Sequence, residues 1–150
     1  MPDYYLVTDF KIEGMDKLRQ QFKKLDSAVG IRVLSSAASY AMTPVARAAR
    51  RAAPVGDKAH KTYRGRTVAP GFLKRNIRKK TKRWPNKKGV TVMVGPTKEA
   101  YYGKFAEFGK DKKHKQAERP WLEPAFEGET DKVIERFRSR LKDKLQAAAR

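Results

Sequence analysis

The order of apolar and polar residues along the chain predicts a strand followed by a helix at the start. Residues 4–13 (YYLVTDFKIE) are rich in β-branched and aromatic side chains and alternate with polar ones toward the end, which predicts a strand that Gly14 terminates. Apolar residues then recur at spacings of three and four, the period of an amphipathic helix, and we expect Gly30 to close that unit. The helical stripe consists of Met15, Leu18, Phe22 and Leu25.

A second, alanine-rich helix is predicted over residues 31–53, with Pro54 ending it. Pro44 lies inside this stretch, lacks a backbone donor and disfavours helical geometry at Thr43, so we expect a kink or a break there. Small side chains on its apolar face suggest close packing of backbones. The predicted face consists of Ile31, Leu34, Ala38, Ala41, Val45, Ala48 and Ala52.

The middle of the chain changes from helical period to turn formers and then to strand period. Residues 55–70 show no sustained period, which predicts a long exposed loop of the kind that is usually functional or disordered. Residues 71–80 predict a short helix or the start of a strand. Residues 81–95 predict a hairpin, because valines alternate with other residues after a turn that contains Pro85, Asn86 and Gly89.

The last third predicts two further helices. Residues 100–110 (AYYGKFAEFGK) place aromatic side chains at helical spacing, and Gly109 is a natural stop. Trp121, between two prolines, suits an anchor where the chain turns into its last helix. The apolar stripe of that helix is Val133, Ile134, Phe137, Leu141 and Leu145.

These elements predict an α+β fold in a single domain over residues 1–150. We expect a small antiparallel or mixed sheet, packed with an N-terminal helix pair and a long C-terminal helix. Two basic loops, 55–70 and 110–119, interrupt the regular elements.

Composition adds a large positive charge. The 150 residues include 36 Lys and Arg against 16 Asp and Glu, a formal net charge of +20, which predicts attraction to polyanions. The absence of cysteine excludes disulfides and cysteine-ligated zinc. The N-terminus lacks the order of a signal peptide, and no apolar run approaches a membrane span, so we expect a soluble protein made in a cytoplasm.

Over half of this charge lies in the middle, where thirteen basic residues stand against one acid, Asp57. Such a run is most often a solvated face, but contact with DNA phosphates or with an acidic partner surface is an equal alternative. No motif for reading a nucleic-acid sequence is present. The thirteen residues are Lys58, Lys61, Arg64, Arg66, Lys74, Arg75, Arg78, Lys79, Lys80, Lys82, Arg83, Lys87 and Lys88.

No motif predicts catalysis, a metal or a cofactor. The two histidines, His60 and His114, lie in basic surroundings and are interpreted as solvated loop residues. Four acids near the start of the last helix are explained by the helix dipole rather than by a metal: Glu123, Glu127, Glu129 and Asp131. Trp84 could stack on a base, but a tryptophan beside a turn more often anchors a hairpin to the core, and we favour that interpretation. We therefore predict that the protein is not an enzyme.

Five segments, taken in order, resemble one family. They are FKIEGMDKLRQQFKKL at 10–25, VARAARRAAP at 45–54, VTVMVG at 90–95, AYYGKFAEFGK at 100–110 and RPWLEPAFE at 119–127. This order resembles the tailed-phage neck and tail-completion proteins named after gene product ten of the HK-ninety-seven phage, which are similar to the minor tail protein Z of lambda-type phages. The ordered pair of EFG and RPWLEPAF carries most of the resemblance.

The chain departs from the usual family pattern in three places. The segment PGFLKRNI at 70–77 stands for TGxLxxSI and is displaced by the basic loop 55–69. Pro44 interrupts a helix expected to be smooth, and Lys110 replaces the usual threonine after EFG. These departures affect loop geometry and ring contacts more than the fold.

The resemblance implies a virion component of the head–tail junction rather than an enzyme. Such proteins complete the tail and permit head–tail joining; several copies, six by tail symmetry, would form a ring around the DNA channel. The implied partners are identical copies, the head connector or stopper, tail-tube or tail-terminator proteins, and passing phage DNA, with no membrane. The implied contact residues are Tyr101, Tyr102, Phe105, Glu107, Phe108, Arg119 and Trp121.

Within that implied set, the RPWLEPAF segment would brace Glu107 or pack beside it, with Arg119 as a partner for its carboxylate. An internal salt bridge, with Phe105 and Phe108 in the core of one copy, is at least an equal alternative for these two aromatic residues. The runner-up function is sequence-nonspecific nucleic-acid binding by a free-standing protein. Position in the stack of rings, copy number and tail type stay open at this stage.

Overall fold

The computed structural model describes residues 16–84, 86, 89–108 and 120–149, without the side chains of residues 105, 106 and 108. The strand predicted over 4–13, the stop at Gly109 and the basic loop 110–119 lie outside these residues. The α+β class is confirmed, with helices predominating and two antiparallel two-stranded sheets in place of one sheet.

Seven helices and four strands follow one another along the described parts of the chain. The helices are α1 Asp16–Lys23, α2 Ser27–Ala41, α3 Thr43–Ala52, α4 Phe72–Arg75, α5 Gly103–Phe108, α6 Leu122–Glu127 and α7 Thr130–Ala148. The strands are β1 His60–Lys61, β2 Thr67–Val68, β3 Ile77–Trp84 and β4 Gly89–Pro96, and a single 3-10 turn covers Lys98–Ala100.

The chain divides into two compact units. The first unit contains residues 45–78 and the described residues between 94 and 129; the second contains 16–44, the described residues between 79 and 93, and 130–149. A single domain over 1–150 stays a prediction.

The second unit is built on α2 and α7, which pack along each other, with α1 also against α7. Its core contains Val33, Ala37, Leu141 and Leu145, with the helix stripe of α1 packed against it. The stripes predicted for α1 and for the closing helix are therefore confirmed for the residues described. Because apolar side chains of all three helices share this core, its burial is the main stabilising term of the unit.

The prediction that Gly30 closes the first helical unit is wrong. Helix α1 ends at Lys23, and Asp26 caps α2 by accepting a hydrogen bond from the Ala28 N–H at 3.1 Å. Gly30 is buried inside α2, where a Cβ would lie 3.2 Å from the Phe22 ring. The absence of a side chain at position 30 therefore lets the Phe22 ring pack closely against α2.

The predicted break near Pro44 is confirmed and falls at Met42, between α2 and α3. Pro44 lies in the first turn of α3, where its missing N–H costs nothing. The face predicted for residues 31–53 is partly wrong. Ala52 is exposed, whereas Val33 and Ala37, outside that face, are buried.

In the first unit, residues 55–70 are not a structureless loop. Strands β1 and β2 pair antiparallel, with His60 opposite Val68 and Lys61 opposite Thr67. The turn between them places Gly65 at φ 77, a conformation that side-chain-bearing residues rarely adopt. Most of the segment is exposed as predicted, but Thr62 and Val68 are buried. A local hairpin thus replaces the predicted loop.

Both alternatives for residues 71–80 are realised, because α4 is followed at once by β3. Asn76 ends α4 by donating from Nδ2 to the Phe72 carbonyl at 2.8 Å, while its own carbonyl accepts from the Thr97 N–H at 2.9 Å. The guanidinium of Arg50 donates to the Ile77 carbonyl at 3.1 and 3.4 Å. The two Arg50 bonds attach the start of β3 to α3. The hairpin that the sequence predicts is confirmed as β3 and β4.

Candidate functional site

The centre of the candidate site is the carboxylate of Glu107 on α5, which is only 4% exposed. Its Oε2 accepts hydrogen bonds from the backbone N–H groups of Trp121 at 2.6 Å and Leu122 at 2.7 Å. Its Oε1 accepts from the Glu123 N–H at 2.9 Å. We call this arrangement the Glu107 clamp.

The clamp works because α6 begins at Leu122, and the first N–H groups of a helix have no partner inside it. An anionic acceptor at that end is favoured by the helix dipole and forms strong, charge-assisted bonds. The side chain of α5 therefore caps α6 in place of a local Asp or Ser, and Trp121 at the cap position makes no side-chain cap bond. The predicted bracing of Glu107 by the RPWLEPAF segment is present in the structure.

Trp121 is a buried anchor, as predicted, with 5% of its surface exposed. Its Nε1 donates to the Gly103 carbonyl at 3.0 Å. A Cβ on Gly103 would lie 2.6 Å from Leu73 Cδ1 and 3.3 Å from the indole ring. Close packing against Leu73 and Trp121 thus requires a glycine at position 103, between the aromatic residues of the AYYGKF segment.

The two tyrosines before α5 contact the β1–β2 hairpin. The Tyr101 ring meets the Tyr63 ring edge-on at 5.6 Å, and the Tyr102 ring meets the His60 ring edge-on at 4.6 Å. His60 is therefore half-buried in β1, and its interpretation as a solvated loop residue is wrong, because the hairpin folds its ring against Tyr102. Its Nε2 is buried without a hydrogen-bond partner in the described structure.

Burial raises the pKa of the Tyr102 hydroxyl above its usual value. A hydrogen bond with the Leu73 backbone and the positive charge of Arg75 act in the opposite direction and reduce that shift. The neutral phenol is thus the form that this packed position favours. The predicted contact residue Arg119, the side chains of Phe105 and Phe108, and His114 lie outside the described part of the chain.

Of the thirteen basic residues, Lys87 and Lys88 lie outside the described ranges, and the others spread over the β1–β2 hairpin, α4 and β3. Several donate to oxygen atoms of the protein itself. Arg75 Nη1 donates to the Pro70 carbonyl at 3.1 Å, and Arg78 Nη1 to the Arg75 carbonyl at 2.6 Å. With so few acids in the chain, backbone carbonyls replace carboxylates as partners of these cations.

Strand β3 sends its basic side chains to two faces. On one face, Lys79 Nζ donates to the Ser39 carbonyl at 2.6 Å and to Thr43 Oγ1 at 3.0 Å, and Arg83 Nε donates to Ser35 Oγ at 3.2 Å. On the other face lie Lys80 and Lys82, both exposed. One face therefore attaches the strand to α2, and the other presents the exposed Lys80 and Lys82.

Trp84 lies on that outward face and bonds across the hairpin. Its Nε1 donates to Thr91 Oγ1 at 3.1 Å, and the Lys82 ammonium lies 3.9 Å from the ring centroid. The tryptophan thus joins β3 to β4. These contacts lie within the hairpin, whereas the sequence predicts that Trp84 anchors the hairpin to the core.

The remaining basic residues of the run have mixed surroundings. Arg64 Nε donates to the Tyr63 hydroxyl at 3.0 Å, and Arg66 forms an exposed ion pair with Glu99 at 3.8 Å. Lys58, Lys61 and Lys74 are exposed. The outward charge of the described run is thus carried by both lysines and arginines.

A second cluster, which sequence reasoning missed, lies at the end of α2. Tyr40 is 39% exposed, and its ring is flanked by the guanidiniums of Arg136 and Arg140, at 3.9 and 4.7 Å from the centroid. Arg136 also donates to the Tyr40 carbonyl at 3.0 and 3.3 Å. In a continuous helix, residue 44 would bond that carbonyl, but proline has no N–H. The predicted break at Pro44 was the available signal for this cluster.

The first unit also has an open cleft of about 460 Å³, walled by Ala48, Ala52, Pro120, Pro124 and neighbouring residues. Arg51 and Glu129, which pair at 3.8 Å, are its charged side chains. None of the lining residues is a serine, threonine, cysteine or histidine, so the cleft offers no nucleophile or imidazole base. In the described ranges no group of three potential metal ligands comes together.

A family model described as "Bacteriophage HK97-gp10, putative tail-component" matches residues 16–109. No curated protein and no solved structure matches the chain. In the described residues, no helix is long and apolar enough to cross a membrane.

Proposed function

Because the match over residues 16–109 spans more than half of the chain, the protein belongs to the HK97-gp10-like family of bacteriophage tail components, and we propose that it acts at the head–tail junction. The family resemblance predicted from the sequence is confirmed. The family is structural, which gives the chain a structural role in the phage tail and a place in the virion. The proposal adds that several identical copies form a ring around the DNA channel and complete the tail.

The observation that supports a structural role is that the Glu107 carboxylate accepts hydrogen bonds from the backbone at the start of α6. A buried carboxylate is often a reactive group in an enzyme. Here both oxygens accept bonds from three backbone N–H groups, so the charge stabilises the start of α6. The geometry supports a scaffold whose interior joins segments of the chain.

Exposed aromatic side chains support assembly from copies. Tyr63 in the first unit is 52% exposed and Tyr40 in the second 39%. Tyrosine and arginine are enriched among residues that dominate protein interfaces, and each tyrosine has arginine beside it. A ring requires two different faces on each copy, because its contacts are heterologous and close by rotation.

The distribution of charge supports modest attraction to DNA. Arg75, Arg78, Lys79 and Arg83 donate to oxygens of the protein, so part of the positive charge is already engaged within the chain. DNA in a channel must move, so strong binding would stall it. The proposal assigns exposed lysines such as Lys58, Lys61 and Lys74 to DNA or to acidic neighbouring proteins.

Light scattering during size-exclusion chromatography tests the proposal. The purified chain, alone and mixed with the head connector or tail-tube protein of the same phage, is expected to elute as an assembly of several copies. A chain that stays monomeric over the accessible concentrations and binds neither protein would contradict it.

Sequence-nonspecific nucleic-acid binding is the second candidate, favoured by the exposed lysines on the β1–β2 hairpin and on β3. A gel shift with duplex DNA at two salt concentrations separates the two. A free-standing binder retains DNA as a monomer, with an affinity that falls steeply with salt. A ring protein assembles without DNA.

A further inference from the structure

We propose that neighbouring copies join through two matched pairs of charges: Glu123 and Glu127 on α6 of one copy, and Arg136 and Arg140 on α7 of the next. Tyr40 lies at the centre of the basic side. This inference rests on the proposed ring and names the residues that would form its repeated contact.

The basic side is already held in place. The Tyr40 ring packs against both guanidiniums, and Arg136 is fixed further by its two bonds to the Tyr40 carbonyl. Arginine held this way loses little side-chain freedom on binding, which lowers the cost of association.

The same side lacks a counter-charge. Neither Arg136 nor Arg140 forms an ion pair with another described residue. The two lie four residues apart on one helix, where like charges destabilise each other. A pair of carboxylates brought by a partner would remove that repulsion.

The acidic side has the matching spacing. Glu123 and Glu127 are exposed and also four residues apart, so their Cβ atoms lie about 6 Å from each other, as those of Arg136 and Arg140 do. Neither glutamate forms an ion pair with another described residue, whereas Glu99 and Glu129 of the same unit do. The Glu107 clamp fixes the start of α6, and with it the direction of this pair.

Charge complementarity favours a second copy as the occupant. Two chains of net charge +20 repel each other in most orientations, so a self-contact needs acidic residues of one copy facing basic residues of the other. The acidic pair and the basic pair are different surfaces of the chain. A contact that joins one to the other between copies is heterologous, as a ring requires.

Charge reversal tests the contact. The variants Glu123→Arg with Glu127→Arg, and Arg136→Glu with Arg140→Glu, are each expected to weaken self-association roughly tenfold or more by light scattering. An equimolar mixture of the two variants is expected to assemble again, with the two alternating in native mass spectra. The variant with all four reversals is expected to assemble alone.

Matched controls change the same amount of charge elsewhere. Glu135→Arg with Asp143→Arg, and Lys17→Glu with Lys142→Glu, alter exposed residues and are expected to assemble as the parent does. Circular dichroism checks that every variant is folded. If Arg136→Glu impairs folding, Arg140→Gln alone replaces that variant, and it must still weaken assembly.

Two outcomes would overturn the inference. One is assembly of both reversed variants at parental strength. The other is unchanged assembly together with lost binding of a duplex DNA oligonucleotide when Arg136 and Arg140 are reversed, which would make the patch a phosphate site. Either result leaves the ring standing, whereas a parental chain that never assembles removes the proposed function itself.

Discussion

The Glu107 carboxylate accepts a hydrogen bond from the Trp121 backbone N–H at 2.6 Å, although the two residues are fourteen positions apart. The contact joins α5 to α6, the two helices that carry the EFG and RPWLEPAF segments. It gives a physical reason for their occurrence as an ordered pair, since one segment caps the other.

Replacing Glu107 by glutamine tests the clamp. The neutral amide loses charge-assisted bonds, and its NH₂ group can face a backbone N–H that needs an acceptor. We expect the free energy of unfolding to fall by about 2–3 kcal/mol, measured by urea denaturation. The matched control is Glu135→Gln, an exposed glutamate on α7, which should change stability little. A similar small change for both variants would rule out a stabilising clamp.

Replacing Gly103 by alanine tests the close packing beside Trp121. The added methyl group would lie 2.6 Å from the buried Leu73 side chain, so the core must shift. We expect a loss of about 1–3 kcal/mol, which outweighs the helix preference for alanine. Gly56→Ala is the control, because the nearest atom there lies 4.0 Å away. The measurement is the melting temperature of Gly103→Ala and of Gly56→Ala, and equal values for the two variants would contradict the packing argument.

Replacing Lys79 by methionine tests the use of cations as partners for backbone carbonyls. The change removes one bond to the Ser39 carbonyl near the end of α2 and one to the Thr43 hydroxyl at the start of α3. Because Lys79 is half-buried, we expect a loss near the low end for bonds to charged groups, about 1.5 kcal/mol. Lys74→Met, on the exposed side of α4, provides the comparison. Unfolding of the two variants at equal denaturant concentration would contradict this role.

The raised pKa of the Tyr102 hydroxyl predicts that the free energy of unfolding falls at alkaline pH. Its pKa is raised in the folded state, so the stabilisation of the neutral phenol is complete below the unfolded pKa of about 10. It is lost as the pH rises through the higher folded pKa. In Tyr102→Phe, the melting temperature should therefore decline less between pH 9 and pH 11 than in the parent, about 10 being the ordinary tyrosine value. Parallel declines would show that this hydroxyl is not responsible.

The helices of the second unit could be predicted from the sequence because their apolar residues repeat at helical period. The stripes of α1 and α7 and the break near Pro44 follow from local rules. The burial of Val33 and Ala37 could not be predicted from periodicity, since it depends on the packing of α2 against α7. Gly30 was misjudged because its role depends on the distant Phe22 ring.

The candidate site could be predicted only in part. That Glu107 and the RPWLEPAF segment meet follows from the resemblance, but the acceptance of three backbone N–H groups by one carboxylate depends on tertiary structure. The pairing of β1 with β2 was missed because each strand has two residues, too few for a period to show. The Tyr40 cluster depends on helices far apart in sequence, which local patterns do not bring together.

A phage in which this gene is silenced provides the most direct test of the central claim. Electron microscopy of the lysate is expected to show DNA-filled heads and tails that have not joined, with joining restored when the purified protein is added. Finished, infectious particles without the protein would contradict the account.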